Sequence, residues 1–295
     1  MPGRLLLHPP TALEYFAALV AEDDGLPLLE AAVSIAHDEH PTLDCQGVLA
    51  EVDGLAARLR ARLPVDSAPM QRLRLLNRFF FQELGFTGNV NDYYDPANSY
   101  LHTVLETRRG IPITLALVYV EIASQVGLVA NGISFPGHFL VKLRMPRGDV
   151  VIDPFTGQSM SRDALDDLLV PYRRGQALAL GQSREAGDRV PLGLFLQAAA
   201  PRDILARMLR NLKEIHRNGE DWSRLKKVLD RLVILLPEAW EERRDRGLAA
   251  ARLGAVESAA ADLSMYLERA PHAPDRIAIA ERLVDLGHGD ASRLH

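Results

Sequence analysis

The sequence predicts a mostly helical α+β fold with a small antiparallel sheet near its middle and helical repeats towards its C-terminal end. The hydrophobic period of three successive segments supports this prediction. From residue 11 to about 85, apolar residues recur at three- and four-residue spacing, which is typical of amphipathic helices. Between about 130 and 160 the period is two, which indicates strands, and from about 200 onward the helical spacing returns.

The composition is that of an ordinary globular protein. The 295 residues are 47% hydrophobic and carry a formal net charge of −5, which argues against a general nucleic-acid binder because phosphate contacts need a basic surface. The single cysteine excludes an intramolecular disulfide, and the sequence shows neither a secretory signal nor an apolar run of about 20 residues. We therefore expect a soluble, cytoplasmic protein with no cofactor and with neither nucleic acid nor membrane as a partner.

Local signals place helix boundaries in the N-terminal part. Thr11 followed by Glu14 predicts a capping box at the start of the first helix. A helix over 70–86 is expected to end at Gly85, because glycine readily takes the left-handed conformation that ends helices.

Two further helices are predicted before the sheet. Asp95 followed by Pro96 is typical of a helix start, and this helix is expected to run to about Arg109. The next helix begins at Pro112, since proline suits a first helical turn, and it ends at Gly127.

The sheet is predicted from two strand-like runs. The segments 132–145 and 149–155 alternate in polarity and are joined by a turn, and a helix over 161–175 follows them. The stretch 181–193 is rich in Gly, Ser and charged residues, which predicts a linker. We expect one domain over 1–182 and a second, of helical repeats, over 190–295.

A repeat period appears in the second domain. Pro237 and Pro271 lie 34 residues apart, and the segment between them fits a tetratricopeptide unit; the unit before it, 203–236, fits more loosely. Two units leave an apolar face uncovered, so we expect the repeats to pack on the N-terminal region or to bind a protein or peptide partner. The positions that carry the pattern are Trp240, Gly247, Ala250, Gly254, Ala259, Leu263 and Pro271.

His138 and Asp153 form the candidate catalytic pair. His138 is predicted on the first strand and Asp153 at the end of the second, so a strand–turn–strand arrangement can bring both to one edge of the sheet. In cysteine-nucleophile enzymes a histidine base is oriented by such an Asp or Asn. The cysteine itself sits at a helix N-terminus, where the helix dipole favours the thiolate.

The stretch from "YYDPANSYLHTVLETRRGIPITLALVYVEIASQVGL" through "FPGHFLVKL" to "VIDPF" resembles the SirB family of bacterial proteins. That resemblance implies a transglutaminase-like, papain-like core followed by tetratricopeptide-like repeats. Gly110, Ala116 and Gly127 occupy the places of small residues in the motif that surrounds the cysteine. Pro112 then stands where the cysteine is expected.

Pro112 cannot act as a nucleophile, because proline has no reactive side chain. Thr114 carries the nearest hydroxyl, but an unactivated hydroxyl needs a base within hydrogen-bond reach. Cys45 lies in a separate helical region, where a small buried hydrophobe is the commoner role for cysteine and catalysis is the alternative.

The start of the helix that begins at Pro112 is also a candidate ligand site. Its first backbone N–H groups can hold a carboxylate or another anion, since Ile111 offers no polar cap. For Arg108 and Arg109 the alternative is a solvated helix end or an ion pair, and for Asn98 it is a structural cap. The candidate ligand-binding residues are Arg108, Arg109, Ile113, Thr114 and Asn98.

A metal site is a weaker alternative. His37, Asp38 and His40 lie close together in sequence, but Pro41 follows at once and no third ligand stands at a suitable spacing. We expect no metal.

Two functions stay open on the sequence. In the first, a transglutaminase-like domain without its nucleophile holds a ligand or peptide, and the repeats bind a protein. In the second, His138 and Asp153 support a hydrolase or acyltransferase that acts on amide bonds through an unconventional nucleophile, such as activated water.

Overall fold

The computed structural model describes the backbone of residues 10–179 and 191–291. The α-helices are α1 (Ala12–Leu19), α2 (Leu28–Ser34), α3 (Cys45–Arg60), α4 (Pro69–Asn77), α5 (Leu101–Thr107), α6 (Pro112–Gln125), α7 (Arg162–Ala179), α8 (Leu192–Phe195), α9 (Pro201–Asn218), α10 (Trp222–Leu235), α11 (Trp240–Arg252), α12 (Val256–Arg269) and α13 (Arg276–Ala291). The strands are β1 (Thr87–Gly88), β2 (Arg109–Gly110), β3 (Ala130–Ile133), β4 (Leu140–Met145), β5 (Gly148–Asp153) and β6 (Gln158–Met160). Ile35–Asp38 and Pro96–Ser99 are short 3₁₀ helices, and Arg78–Glu83 is a π-helical turn.

The chain forms two compact units that are each discontinuous in sequence. The described residues of the first unit are 10–27, 34–43 and 205–291, and those of the second are 28–33, 44–179 and 191–204. The mostly helical α+β fold predicted from the sequence is confirmed. The linker predicted at 181–193 lies mostly outside the described residues, so the boundary near 182–190 stays a prediction.

The sheet of the second unit is an antiparallel meander in the order β3-β4-β5-β6. The single strand expected over 132–145 is wrong, because Phe135, Pro136, Gly137 and His138 form a turn between β3 and β4. The N–H of His138 donates to the carbonyl of Phe135 (3.0 Å), and Gly137 has a φ of 70°. Proline followed by a positive-φ glycine is the arrangement of a type II turn.

The helix expected from Asp95–Pro96 to Arg109 is interrupted. Asp95 caps the first part as predicted, since its carboxylate accepts from the N–H of Ala97 (2.9 Å). Tyr100 then takes an extended conformation (φ −101°, ψ 116°), and α5 starts only after it. The helix ends at Arg108, which takes the left-handed conformation (φ 59°) that the sequence suggested for glycine.

α6 is the central helix of the second unit. It contacts α3, β3 and β4, and its interior residues from Ile113 to Tyr119 are buried. The Tyr119 hydroxyl donates to the side-chain oxygen of Asn77 (2.6 Å), so this buried side chain has a hydrogen-bond partner. The predicted helix end is confirmed by Gly127, whose φ is 76°.

From residue 205 in α9 onward, the helices form the repeat part of the first unit. α11 packs against α12 so closely that a Cβ at Gly247 would lie 2.9 Å from Leu263, as the small residues of the repeat pattern require. α1 packs against α10, where the Arg231 guanidinium lies 5.4 Å from the Phe16 ring centroid and pairs with Asp38. Within this unit the repeats therefore pack on the N-terminal α1, which is the first of the two alternatives expected from the sequence.

No helix among the described residues combines the length and the apolarity that a membrane crossing requires.

Candidate functional site

The site begins at the first turn of α6. Pro112 is the first helical residue and is half-buried, and the preceding Ile111 is extended (φ −95°, ψ 164°). This start matches the sequence prediction. The proline ring fixes φ at a helical value and carries no N–H. Neither property destabilises the first turn, where a backbone N–H has no acceptor within the helix.

Thr114 fixes the geometry of that turn. Its hydroxyl accepts from the N–H of Ile111 (3.2 Å) and donates to the carbonyl of Asn98 (2.8 Å). The side chain is fully buried, and a Cβ at Gly110 would lie 2.9 Å from its oxygen. Thr114 therefore joins α6 to the preceding segment, and glycine is needed at position 110 for the close approach.

A two-stranded parallel bridge brings the end of β5 towards the beginning of α6. β1 pairs with β2 through Thr87 with Arg109 and Gly88 with Gly110. The N–H of Gly88 also donates to the carbonyl of Phe155 (2.9 Å), two residues after β5. This bridge could not be predicted from the sequence, because each strand has only two residues.

His138 lies in the turn before β4 rather than on the strand. Its position is two residues before Leu140, where β4 begins, and its side chain is partly buried. Within the described part of the chain, neither ring nitrogen of His138 has a hydrogen-bond partner. A Cβ at the neighbouring Gly137 would lie 2.0 Å from the Tyr172 hydroxyl, so α7 passes close to this turn.

Asp153 ends β5 as predicted and stabilises the turn that follows. One carboxylate oxygen accepts from the N–H of Phe155 (2.8 Å), and the other accepts from the Thr156 hydroxyl (3.0 Å). The Gly157 N–H also donates to the Asp153 carbonyl (2.8 Å). The Asp153 carboxylate thus forms an Asx turn.

The sheet register places the candidate pair at one end. β4 and β5 are antiparallel with Val141 opposite Ile152, so the residues before β4 and the last residue of β5 meet at the same end of the sheet. His138 and Asp153 are not hydrogen-bonded to each other, and both carboxylate oxygens of Asp153 bond within its own turn. Their assignment as catalytic residues stays a prediction.

Arg108 is packed rather than solvated. Its guanidinium lies 4.8 Å from the Phe86 ring centroid and 3.5 Å from a carboxylate oxygen of Glu51. These contacts oppose the strain of a left-handed arginine. Arg109 is exposed, so of the two arginines it is the one open to solvent.

Asn98 and Ile113 are both buried, with exposed fractions of 4% and 2%. The Asn98 amide nitrogen donates to the carbonyls of Asp92 (2.7 Å) and Tyr93 (3.2 Å), and its oxygen accepts from Asn89 (3.0 Å). The amide therefore organises the loop before α5, and contact of either side chain with a ligand stays a prediction.

Cys45 is the first residue of α3 and is buried. Burial, with smaller contributions from the charges of Glu30 and Asp44, raises the pKa of the Cys45 thiol to about 11. A helix N-terminus lowers the pKa of a thiol. Here burial and the two carboxylates outweigh it.

His37, which was considered above as a metal ligand, lies within hydrogen-bond distance of a backbone carbonyl. His37 lies on a 3₁₀ helix with its Nε2 atom 3.0 Å from the carbonyl of Leu43. Across residues 10–173 and 191–287, no group of three or more His, Cys, Asp or Glu side chains is placed to hold a metal ion.

Two cavities are lined by neither residue of the candidate pair. One, of about 680 Å³, lies in the second unit between α4, α7, α8 and strands β5 and β6, and neither His138 nor Asp153 lines it. The other, of about 610 Å³, lies within the repeats and includes Trp222, Arg252 and Arg282. Neither arginine was singled out from the sequence, although Asp245, Leu248, Ala249 and Arg252 mark one stripe at helical spacing.

Comparisons with known proteins agree with this architecture. Residues 46–210, more than half of the chain, match the profile of the transglutaminase-like superfamily, and residues 212–284 match the tetratricopeptide repeat. A UPF0162 protein of Xylella fastidiosa is 38% identical over 268 residues, which cover 90% of this chain and 92% of that protein. A UPF0162 protein of Pseudomonas aeruginosa is 29% identical over 271 residues, with 91% and 94% covered.

A likeness to a eukaryotic protein is more local. F-box only protein 21 of Mus musculus is 31% identical over 173 residues, which are 57% of this chain and 26% of that protein. The repeat match and the superfamily match together account for both parts of the predicted fold. The chain belongs to the transglutaminase-like superfamily and, over nine-tenths of its length, to the UPF0162 proteins.

Proposed function

We propose that this chain is a non-catalytic, transglutaminase-like binding protein whose repeats engage a protein partner. The observation that carries the proposal is the start of α6, where Pro112 occupies the position that the resemblance gives to a cysteine. A ligand or peptide would lie at this helix start, with the His138 ring as a polar contact. We also propose that the chain is a member of the SirB family and that the protein is cytoplasmic.

The other candidate nucleophiles are poorly suited to the reaction. Thr114 is fully buried and its hydroxyl proton is engaged with the carbonyl of Asn98, so no base can reach it in this arrangement. Cys45 is buried with a raised pKa, which leaves the thiol protonated near neutral pH. Both facts support a protein that binds without turnover.

The bonding of Asp153 supports the same conclusion. A catalytic carboxylate must orient the imidazole of its histidine. Asp153 instead uses both oxygens to hold the turn that carries Phe155 and Thr156. We propose that Asp153 is retained for that turn, and that His138 contacts the ligand.

The ligand-binding residues divide by their accessibility. Arg109 is exposed and could meet an anionic group directly. Asn98, Ile113 and Thr114 are buried, so we propose that they act through the backbone they position at the helix start. Arg108 would contribute through its guanidinium, on a side chain that is 28% exposed beside Glu51.

Turnover measurements on a histidine variant test the proposal. We expect the wild type and His138→Ala to show the same background rate for hydrolysis of peptide amides and for acyl transfer from glutamine peptides to an amine. His272→Ala, which changes an exposed histidine of the other unit, is the matched control. A wild-type rate above background that His138→Ala alone abolishes, with an unchanged circular dichroism spectrum, would establish the hydrolase or acyltransferase instead.

A further inference from the structure

The repeat part of the first unit carries a groove suited to a peptide. Its cavity of about 610 Å³ is lined by side chains of α9, α10, α11 and α13. A space of this size matches the range of ordinary ligand pockets. Every lining residue belongs to the same compact unit.

The floor of the groove is apolar. Leu225, Ala249 and Ile279 line it and are at most 5% exposed, and the indole of Trp222 lies beside them. The part of the half-buried Trp222 indole that faces water supplies apolar area, and covering it with a bulky apolar side chain gains free energy.

The rim of the groove is cationic, although the whole chain is acidic. Arg217, Arg252 and Arg282 line the groove together with a single carboxylate, that of Asp245. That carboxylate is already shared, because its oxygens lie 2.6 Å from Lys213, 2.6 Å from Arg217 and 2.7 Å from Arg244. The acid of the groove is therefore neutralised by its own neighbours.

Two of the arginines lack an acidic partner. Among the residues that the structure describes, neither Arg252 nor Arg282 forms an ion pair. Arg252 lies 5.3 Å from the Trp222 ring centroid, a cation–π contact that leaves the guanidinium N–H groups at the edge of the plane available. Such groups match a carboxylate in bidentate geometry.

We propose that this groove binds an acidic peptide segment of another protein. Side-chain carboxylates of the segment pair with Arg252 and Arg282, and an apolar side chain between them packs on Trp222 and Leu225. The charge complementarity selects this occupant over a neutral or basic segment. The inference rests on the proposed role of the repeats in partner binding and names the chemistry of that partner.

Fluorescence polarisation with a synthetic probe tests the inference on the full chain. The probe is a short fluorescein-labelled peptide of alternating glutamate and leucine, blocked at both ends so that it has no terminal charge. The comparison peptides replace every glutamate by glutamine, every glutamate by lysine, or every leucine by serine. We expect the Glu–Leu probe to bind most tightly, and its affinity to fall as salt is added.

Arginine variants locate the binding. The double variant Arg252→Gln with Arg282→Gln is expected to weaken binding of the Glu–Leu probe by about tenfold or more, because it removes two charge-assisted contacts. Arg269→Gln is the matched control. Arg269 is exposed, lies 5.8 Å from the Trp240 ring centroid, and does not line the groove.

Four results would overturn the inference. The first is no binding of the Glu–Leu probe, and the second is equal or tighter binding of the Gln–Leu or Lys–Leu peptide. The third is an unchanged affinity of the double variant for the Glu–Leu probe. The fourth is a wild-type dimer, seen by sedimentation, that the double variant does not form. The last result would make a second copy of the chain the occupant. None of these results bears on turnover, so the proposed absence of catalysis stands or falls separately.

Discussion

Thr114 connects the start of α6 to the segment before α5 through one buried hydroxyl. Replacing Thr114 by Val keeps the shape of the side chain but leaves the Ile111 N–H and the Asn98 carbonyl without this partner. We expect the free energy of unfolding to fall by about 1–3 kcal/mol, the usual cost of unsatisfied buried groups.

Hydrogen exchange of the α6 amides measures this effect in the unit where it occurs. Thr107→Val is the control, because Thr107 is exposed and its hydroxyl bonds only to nearby backbone. Equal protection of α6 in the two variants would contradict the role assigned to Thr114.

Gly88 shows a second close approach at residue scale. A Cβ at this position would lie 2.3 Å from the Phe155 ring, so Gly88→Ala forces the ring or the β1–β2 bridge to move. We expect a loss of about 1–3 kcal/mol, as for other overpacked sites.

Gly54→Ala is the opposite case, and it serves as the control for Gly88→Ala. Gly54 lies inside α3 and a Cβ there would meet nothing within 4 Å, so alanine should stabilise the helix by up to about 1 kcal/mol. Thermal unfolding of the two variants, followed by circular dichroism, should shift in opposite directions. Stabilisation by Gly88→Ala would contradict the packing against Phe155.

At the scale of elements, the pairing of α1 with α10 depends on a buried arginine. Arg231 is 1% exposed, and its charge is balanced by Asp38 at the end of a 3₁₀ helix. Removing only the acid leaves a buried charge unpaired, so we expect Asp38→Asn to cost about 3 kcal/mol. Adding Arg231→Met should restore much of that loss.

Tryptophan fluorescence during urea unfolding measures these variants. Both tryptophans of the chain, Trp222 and Trp240, lie in the unit that contains the pair. Glu39→Gln is the control, because its partner Arg224 is about half exposed and such pairs contribute less than about 1 kcal/mol. An equal effect of the Asp38 and Glu39 substitutions would show that burial of Arg231 does not matter.

An element could be predicted from the sequence where neighbouring residues determine it, and could not be predicted otherwise. The capping box at Thr11 and the helix end at Gly127 depend on neighbours in sequence, and both were predicted. The bridge of Thr87 to Arg109 joins residues that are not neighbours in sequence, and the break at Tyr100 is marked by neither proline nor glycine at that position. No local pattern could indicate them.

The candidate site divides in the same way. Pro112 at a helix start and Asp153 at a strand end could be placed from sequence. The bonding of the Asp153 carboxylate within its own turn could not, because Phe155 and Thr156 look like ordinary loop residues until the turn is seen. The position of His138 was displaced by the Pro136–Gly137 turn.

For the whole molecule, the discontinuous units are the feature that the sequence did not reveal. Residues 10–27 and 34–43 share a unit with 205–291, whereas the prediction assigned them to the N-terminal domain. The reason is that ion pairs such as Arg231 with Asp38 join segments 193 positions apart. The superfamily and the repeats themselves were correctly inferred, since their motifs are local.

The pH dependence of stability should follow His216 in the repeat unit. Burial lowers the pKa of His216; the charge of Asp221 raises it, that of Arg224 lowers it and that of Glu39 raises it. Below about pH 6.5 the His216 side chain binds a proton in the unfolded chain. In the folded chain its lowered pKa opposes this protonation. Stability is therefore complete above that pH and declines as pH falls through and below it.

Urea midpoints by tryptophan fluorescence across this pH range measure the effect. We expect His216→Gln to flatten the decline between about pH 7 and 5, whereas His272→Gln, at an exposed site, keeps the wild-type slope. Identical slopes for all three proteins would contradict the burial of a neutral His216.

Covalent labelling tests most directly whether the start of α6 lacks a nucleophile. The folded chain is treated with iodoacetamide and with a fluorophosphonate at about pH 8, and adducts are counted by intact mass spectrometry. We expect no adduct on the folded wild type, because Cys45 is buried with a pKa of about 11 and Thr114 is buried. Pro112→Cys should gain one iodoacetamide adduct. An adduct of the wild type at Thr114 or Cys45 that His138→Ala abolishes would contradict a site without a nucleophile.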